Sequence, residues 1–187
     1  MRLPELTPPH HHHERIRAAA GFTLVEVMIV VAILAIFAGI AVPSFRTLIA
    51  DNRMTGQAND FLSALQLARS EAITRSRRIS ICPSSSGSGC TATAWGGGWM
   101  VFAESLTGTI GSFDSASDTV LRVYPPLAGT SSLVANGNAV VVTYQPDGSV
   151  SAARTFTLCP NDGSGVRGRT IPITASGRAR VETRETC

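Results

Sequence analysis

The strongest constraint on the fold is an uninterrupted apolar segment near the start of the chain, residues 22–42. These 21 residues contain one charged side chain, Glu26. A helix of this length spans roughly 31 Å, about the thickness of the hydrocarbon core of a bilayer. Its many leucine, isoleucine, valine and phenylalanine residues outweigh the insertion cost of one carboxylate. We therefore expect a membrane-spanning helix rather than the buried core helix of a soluble domain.

The residues around the apolar segment predict its orientation and processing. Three arginines precede it: Arg2, Arg15 and Arg17. The first basic residue after it is Arg46, so the positive-inside rule favours a cytoplasmic N-terminus with residues 44–187 outside. An ordinary secretory signal is cut after its apolar region, whereas here the small residues 18–21 lie before it. Cleavage at these residues would leave the apolar helix attached to the mature chain.

The composition excludes several kinds of catalytic site. All 16 basic residues are arginine, so the chain has neither the lysine of a Walker-type phosphate loop nor one for Schiff-base chemistry. The four histidines form one run, residues 10–13. If residues 1–21 are removed, histidine-based triads and histidine metal sites are excluded as well. We predict a protein without enzymatic activity and without a cofactor or metal.

Pro43 marks a change in the helical pattern. Its ring removes the hydrogen bond to the carbonyl of Gly39, which predicts a kink. Beyond it, six apolar residues recur at the spacing of one helix face: Met54, Ala58, Phe61, Leu65, Ala68 and Ala72. The opposite face carries charged residues: Arg53, Asp60, Arg69 and Arg75. We predict a helix over residues 22–75 whose second half packs against a sheet.

Short runs rich in β-branched and aromatic residues replace the helical pattern after Arg78. They predict strands at residues 79–82, 99–102, 120–124, 139–144, 155–159, 170–174 and 179–183. Turns rich in glycine, proline and asparagine separate them. Trp95 and Trp99 flank three glycines. We expect both tryptophans to pack in a core or loop rather than to form a sugar-binding platform.

The four cysteines are Cys82, Cys90, Cys159 and Cys187. An even number of cysteines in a region outside the cytoplasm favours two disulfides. We favour Cys82–Cys90, which closes a loop rich in serine and glycine, together with Cys159–Cys187, which fixes the C-terminus. A Cys82–Cys159 bond is the main alternative, because both residues end similar strands. A zinc site is less favoured because the sequence has no C-x₂-C pair.

Gly21-Phe22-Thr23-Leu24-Val25-Glu26, with the basic leader, the apolar helix and Pro43, resembles the N-terminal signature of type IV pilins and type II secretion pseudopilins. The resemblance implies an α+β fold, in which a long N-terminal helix packs on an antiparallel β-sheet head. It implies cleavage after Gly21 by a prepilin peptidase and N-methylation of Phe22. It also implies that Glu26 neutralises the terminal amine of a neighbouring subunit in a filament.

This resemblance divides the chain into four segments. Residues 1–21 form a cleaved cytoplasmic leader, and residues 22–43 form the transmembrane and filament-core helix. Residues 44–78 form an amphipathic helix, and residues 79–187 form a β-rich periplasmic head. The implied partners are the prepilin peptidase, other major and minor pilins or pseudopilins, and the bacterial inner membrane.

Several later stretches resemble the FimT/GspH branch of minor pilins: residues 62–78, 81–83, 98–102, 155–160 and 176–180. In the FimT branch a Gly-Arg-x-Arg element is associated with DNA binding during natural transformation. Gly177, Arg178 and Arg180 match that element. The two arginines would point to the same side of a strand. Charge alone adds Arg167 and Arg169 as candidate contacts to the phosphates of double-stranded DNA.

Two functions follow from these resemblances. The favoured one is a FimT-like minor pilin that initiates or caps a type IV pilus, with DNA binding for uptake as an added activity. The alternative is a GspH-like minor pseudopilin of a type II protein secretion system. A plainer interpretation of the C-terminal arginines is that they are ordinary surface residues in a chain that uses no lysine.

Overall fold

The computed structural model describes residues 21–91, 94–129, 131–161, 163, 165–184 and 187. The predicted leader, apart from Gly21, lies outside the described residues. Contacts among the described residues divide the chain into two compact units, with the boundary between Ala41 and Val42.

Helix α1 covers Leu24–Arg75, close to the predicted 22–75. It begins with a side-chain cap, because the Glu26 amide donates a 3.2 Å hydrogen bond to Thr23 Oγ1. It ends where Ser76 adopts a positive φ of 48° and the Arg77 amide donates to the carbonyl of Ala72. An 18-residue window of α1 has a mean hydropathy of 2.8, and none of that window is buried. The helix is therefore long and apolar enough to span a membrane.

In the part of the chain that the structure describes, eight strands follow α1 and form two four-stranded antiparallel sheets. Their bounds are β1 Ile79–Pro83, β2 Trp99–Ala103, β3 Thr119–Tyr124, β4 Ser132–Ala135, β5 Val142–Tyr144, β6 Arg154–Cys159, β7 Gly168–Ile173 and β8 Glu182–Arg184. The strand order is β3-β2-β1-β5 in the first sheet and β4-β6-β7-β8 in the second. Short 3₁₀ turns cover Trp95–Gly97 and Asn136–Asn138.

Three of the strands differ from the sequence prediction. Strand β4 was not predicted; it is short, and its serine and alanine are weak strand formers. Strand β5 begins at Val142 rather than at residue 139. The Ala139 carbonyl is not part of the sheet, because it accepts a 2.8 Å hydrogen bond from Trp95 Nε1. The predicted strand 179–183 is reduced to β8 and an isolated bridge between Ala179 and Ile173.

The core lies between the second half of α1 and the two sheets. The predicted apolar stripe is confirmed, because all six of its residues are fully buried: Met54, Ala58, Phe61, Leu65, Ala68 and Ala72. The ring of Phe61 lies 5.2 Å from that of Trp99 in β2 and 4.6 Å from that of Phe156 in β6. It also contacts Trp95 at 5.6 Å. One side chain of α1 thus joins both sheets, and both tryptophans are core residues as predicted.

The segment 178–184, which includes β8, forms the open edge of the second sheet. Thr170 of β7 pairs with Glu182, and Ile173 pairs with Ala179. Both pairs belong to one antiparallel register, so residues 178–184 run beside β7. Ala179 and Val181 pack against the core. Because side chains alternate along an extended chain, residues 178 and 180 lie on the opposite, solvent-facing side.

We expect Phe61→Ala to lower the free energy of unfolding by about 3–5 kcal/mol, because it leaves a cavity between α1 and both sheets. Denaturant unfolding of the full chain in detergent, followed by tryptophan fluorescence, measures this loss. Leu106 provides the control, because its side chain is 77% exposed. Leu106→Ala should change stability by less than about 0.5 kcal/mol. Equal effects of the two substitutions would contradict this description of the core.

Candidate nucleic-acid interface

Gly177 is required by the turn that precedes Arg178. Its φ is +76°, a conformation that residues with a side chain rarely adopt. A Cβ atom at this position would lie 1.9 Å from the carbonyl oxygen of Gly148. The Gly177 amide donates to the Thr174 carbonyl, and the Thr174 amide donates to the Arg178 carbonyl. The glycine of the Gly-Arg-x-Arg element therefore brings two turns into close contact; we call residues 174–178 the Gly177 turn.

Arg178 and Arg180 lie on the solvent-facing side of the sheet edge. Both residues are exposed, and they are about 7 Å apart along the extended chain. Arg180 Nε donates a 2.5 Å hydrogen bond to Glu182 Oε1 in an exposed ion pair, which is an interaction of small net energy. Within the part of the chain that the structure describes, the Arg178 side chain has neither a hydrogen bond nor an ion pair. Its guanidinium group is thus available to an external anion.

Arg69 connects α1 to the Gly177 turn. Its Nε donates a 3.1 Å hydrogen bond to the Gly148 carbonyl, and its Nη2 donates a 3.2 Å bond to the Ser176 carbonyl. Sequence analysis placed Arg69 on the solvent-facing side of α1, but the structure shows it half-buried. The reason is that it reaches both turns at once. No local sequence signal reveals this role, because its acceptors are 79 and 107 residues away.

Tyr144 lies beneath the same region. It is fully buried, and its hydroxyl has no hydrogen-bond partner within the described residues. Burial raises the pKa of Tyr144, and the positive charge of nearby Arg69 opposes that rise. Tyr144 therefore remains a neutral phenol at neutral pH and adds no negative charge beside Arg69.

The structure does not favour Arg169 as a DNA contact. Its side chain is buried, and Nη2 donates to Asp51 Oδ1 at 2.9 Å and to Thr55 Oγ1 at 3.0 Å. Its Nη1 donates to the carbonyls of Arg167 and Gly168. A guanidinium with four internal hydrogen bonds attaches β7 to α1 and is shielded from solvent. Charge alone could not separate this role from phosphate binding, because Asp51 is 118 residues away in sequence.

Arg167 is exposed but lies far from the Arg178–Arg180 pair. It precedes the first residue of β7, whereas Ala179 pairs with Ile173 at the last residue of that strand. The six residues of β7 span about 20 Å. The candidate arginines therefore do not form one patch. Arg178 and Arg180 are adjacent, and Arg167 lies at the other end of the strand.

Two disulfides stabilise the β-rich region. Cys82 is bonded to Cys90, with 5.6 Å between their Cα atoms, and Cys159 is bonded to Cys187, with 5.8 Å. This is the pairing that the sequence favoured, and it leaves no cysteine for the alternative Cys82–Cys159 bond. The second disulfide fixes residue 187 beside the end of β6.

The residues of the predicted processing site lie at the start of α1. Gly21, Phe22 and Glu26 are all exposed. The bond from the Glu26 amide to Thr23 Oγ1 shows that Thr23 and Glu26 occupy the N-cap and N3 positions of a capping sequence. Sequence analysis missed this role, although the spacing Thr-x-x-Glu is its signal. The bond uses the backbone amide of Glu26, so the capping role belongs to the Thr23 side chain.

Replacement of Gly177 tests the close contact of the two turns. We expect Gly177→Ala to destabilise the full chain by about 2–5 kcal/mol, because it combines a disfavoured φ with a backbone clash. Gly137 is a matched control, since its φ is +66° but a Cβ atom at that position would have no other atom within 4 Å. Gly137→Ala should cost about 1 kcal/mol. Denaturant unfolding measures both values, and equal losses would contradict the clash with Gly148.

Comparison with known proteins gives two family matches. Residues 57–177 match the family described as type II transport protein GspH. Residues 16–42 match the prokaryotic N-terminal methylation motif. The second match includes Gly21, Phe22 and Glu26.

Solved structures and curated relatives agree with these matches. The type IV minor pilin FimU of Pseudomonas aeruginosa strain PAO1 has a TM-score of 0.55 and 25% identity, covering 73% of this chain and 96% of FimU. A second crystal form of FimU gives a TM-score of 0.52 and 25% identity, covering 71% and 98% of the two chains. A fimbrial protein of Pseudomonas aeruginosa is 41% identical over 63 residues, which are 34% of this chain. The matched region spans 40% of the length of that relative.

These relatives are described as pilus or transport proteins, and none as an enzyme. The predicted α+β pilin fold is confirmed by the likeness to FimU. The N-terminal methylation motif and the apolar helix fit a subunit anchored in the inner membrane. Because the family match covers well over half of its residues, this chain belongs to the GspH family and is a type IV pilin-like minor pilin or pseudopilin.

Proposed function

We propose that this chain is a minor type IV pilin that initiates or caps a pilus and binds DNA for uptake through Arg178 and Arg180. The observation that supports DNA binding is the exposed Arg178–Arg180 pair on the open edge of the second sheet. The fold shared with the minor pilin FimU, over nearly all of that protein, supports the assignment to a pilus.

The chemistry of the pair suits a phosphate backbone. Guanidinium groups stay charged at any physiological pH and match the geometry of phosphate oxygens. Arg178 and Arg180 lie outside the core, so they can contact DNA without unfolding the sheet. Contacts of this kind neutralise phosphates and release counterions, so binding is largely independent of sequence and strongly dependent on salt.

The N-terminal residues serve processing and assembly in this proposal. A prepilin peptidase cleaves after Gly21, and the new terminus at Phe22 is methylated. In the inner membrane the helix anchors the subunit, with residues 79–187 in the periplasm. In the filament the Glu26 carboxylate neutralises the terminal amine of a neighbouring pilin, because an unpaired charge is costly in an apolar environment.

A minor pseudopilin of a type II secretion system is the second candidate function. The description of the matching family as a type II transport protein favours it. In that function the β-rich region contacts other pseudopilins, and the exposed arginines have no nucleic-acid ligand. DNA binding therefore separates the two candidates.

We expect the full chain in non-ionic detergent to bind fluorescent double-stranded DNA, as measured by polarisation across a salt series. The double variant Arg178→Gln/Arg180→Gln should bind more weakly, with a salt slope smaller by about 1.8, because two phosphate contacts are lost. Arg46→Gln/Arg75→Gln is the matched control, because it removes the same charge at exposed positions of α1. Equal losses in both variants, or no binding by the unmodified chain, would contradict DNA binding by this pair.

A second prediction concerns Glu26. We expect Glu26→Ala to prevent incorporation into filaments sheared from cells, because the terminal amine of the neighbouring subunit loses its counter-charge. Thr23→Ala removes the side-chain cap of α1 but keeps the Glu26 carboxylate. It should leave incorporation largely intact. If both variants fail equally, the loss is not specific to the carboxylate and the assembly role of Glu26 is wrong.

A further inference from the structure

A cavity of about 310 Å³ lies between α1 and the Gly177 turn. Gln66 and Arg69 line it from α1, and Arg178 lines it from the turn. Leu65 and Ala179 add apolar walls. The cavity therefore joins the exposed Arg178 to a second arginine that sequence analysis did not connect with it.

Both arginines beside this cavity carry an uncompensated positive charge. Arg69 has five N–H donors, and its two hydrogen bonds go to neutral carbonyls. Within the described residues, neither Arg69 nor Arg178 forms an ion pair with a carboxylate. Asp147, next to Gly148, instead accepts hydrogen bonds from the amide and hydroxyl of Ser149. No acidic residue is among the described residues that line the cavity.

Arg69 and the backbone of the Gly177 turn are held in place before any ligand arrives. The bonds from Arg69 to Gly148 and Ser176 orient its guanidinium, and the contact between Gly177 and Gly148 fixes the start of the Arg178 segment. A binding group that is already ordered loses less side-chain entropy when the ligand binds. The oriented guanidinium of Arg69 and the Arg178 side chain, which has no hydrogen bond or ion pair within the described residues, make this cavity a site for anionic groups.

We propose that this cavity holds a phosphate group of the DNA backbone, which Arg69 contacts, and that Arg178 contacts the adjacent phosphate. The inference rests on the proposed DNA binding and adds to it a binding site on α1. Arg69 uses the N–H groups that the carbonyls leave unoccupied, and Gln66, which also lines the cavity, has an amide that can donate a further hydrogen bond. Arg180, outside the cavity, contacts a different phosphate of the same duplex.

The test compares Arg69→Gln and Arg69→Lys in the full chain in detergent, with polarisation of labelled double-stranded DNA across a salt series. Arg69→Gln removes one phosphate contact, so the salt slope should fall by about 0.9. Arg69→Lys keeps the charge but cannot hold both carbonyls in a fixed geometry. Its affinity should fall while its salt slope stays at the value of the unmodified chain.

Arg75→Gln is the matched control, since Arg75 lies on the same helix, is exposed and pairs with Glu71. It should leave both the affinity and the slope nearly unchanged. If Arg69→Gln and Arg69→Lys both weaken binding without changing the slope, Arg69 only holds the turns and the phosphate site is wrong. If the unmodified chain fails to bind DNA, both the proposed DNA binding and the phosphate site on α1 are wrong.

Discussion

The packing of one face of α1 against two sheets is the interaction on which the rest of the β-rich region depends. Phe61 is at its centre, with its ring in contact with Trp95, Trp99 and Phe156. These aromatic residues come from different elements, so neither sheet keeps its position if the helix face is lost. The small residues of the same face, such as Ala68, let the sheets approach the helix closely. The positions of the surface arginines follow from this packing.

The helix holds β7 and the sequence that follows it at two separate points. Asp51 binds the buried Arg169 near the start of β7, and Arg69 binds the Ser176 carbonyl beyond the end of that strand. The two helix residues are separated by about 27 Å along α1. The sheet edge carries its outward side chains near the second point, and within the described residues the Arg178 guanidinium has no hydrogen-bond or ion-pair partner. Arginines of this region thus have different roles. Arg169 is structural because it binds a distant residue of α1, whereas Arg178 is available to a ligand.

Local patterns predicted most of the fold. The period of the apolar residues predicted α1 and its buried face. A loop rich in serine and glycine favoured the Cys82–Cys90 disulfide, and the terminal position of Cys187 favoured its bond to Cys159. Sequence analysis did not predict the roles of Arg69 and Arg169, because those roles depend on contacts across 79 to 118 residues. It identified the Gly-Arg-x-Arg element correctly as a surface feature but grouped it with Arg167, which the register of β7 places elsewhere.

The proposed function requires this chain to be a processed subunit of a pilus. Mass spectrometry of pili sheared from the native cells tests this most directly. We expect peptides of this chain in the filament fraction, with an N-terminal peptide that begins at Phe22 and carries one methyl group. A chain found solely in the membrane fraction, with residues 1–21 still attached, would contradict the account.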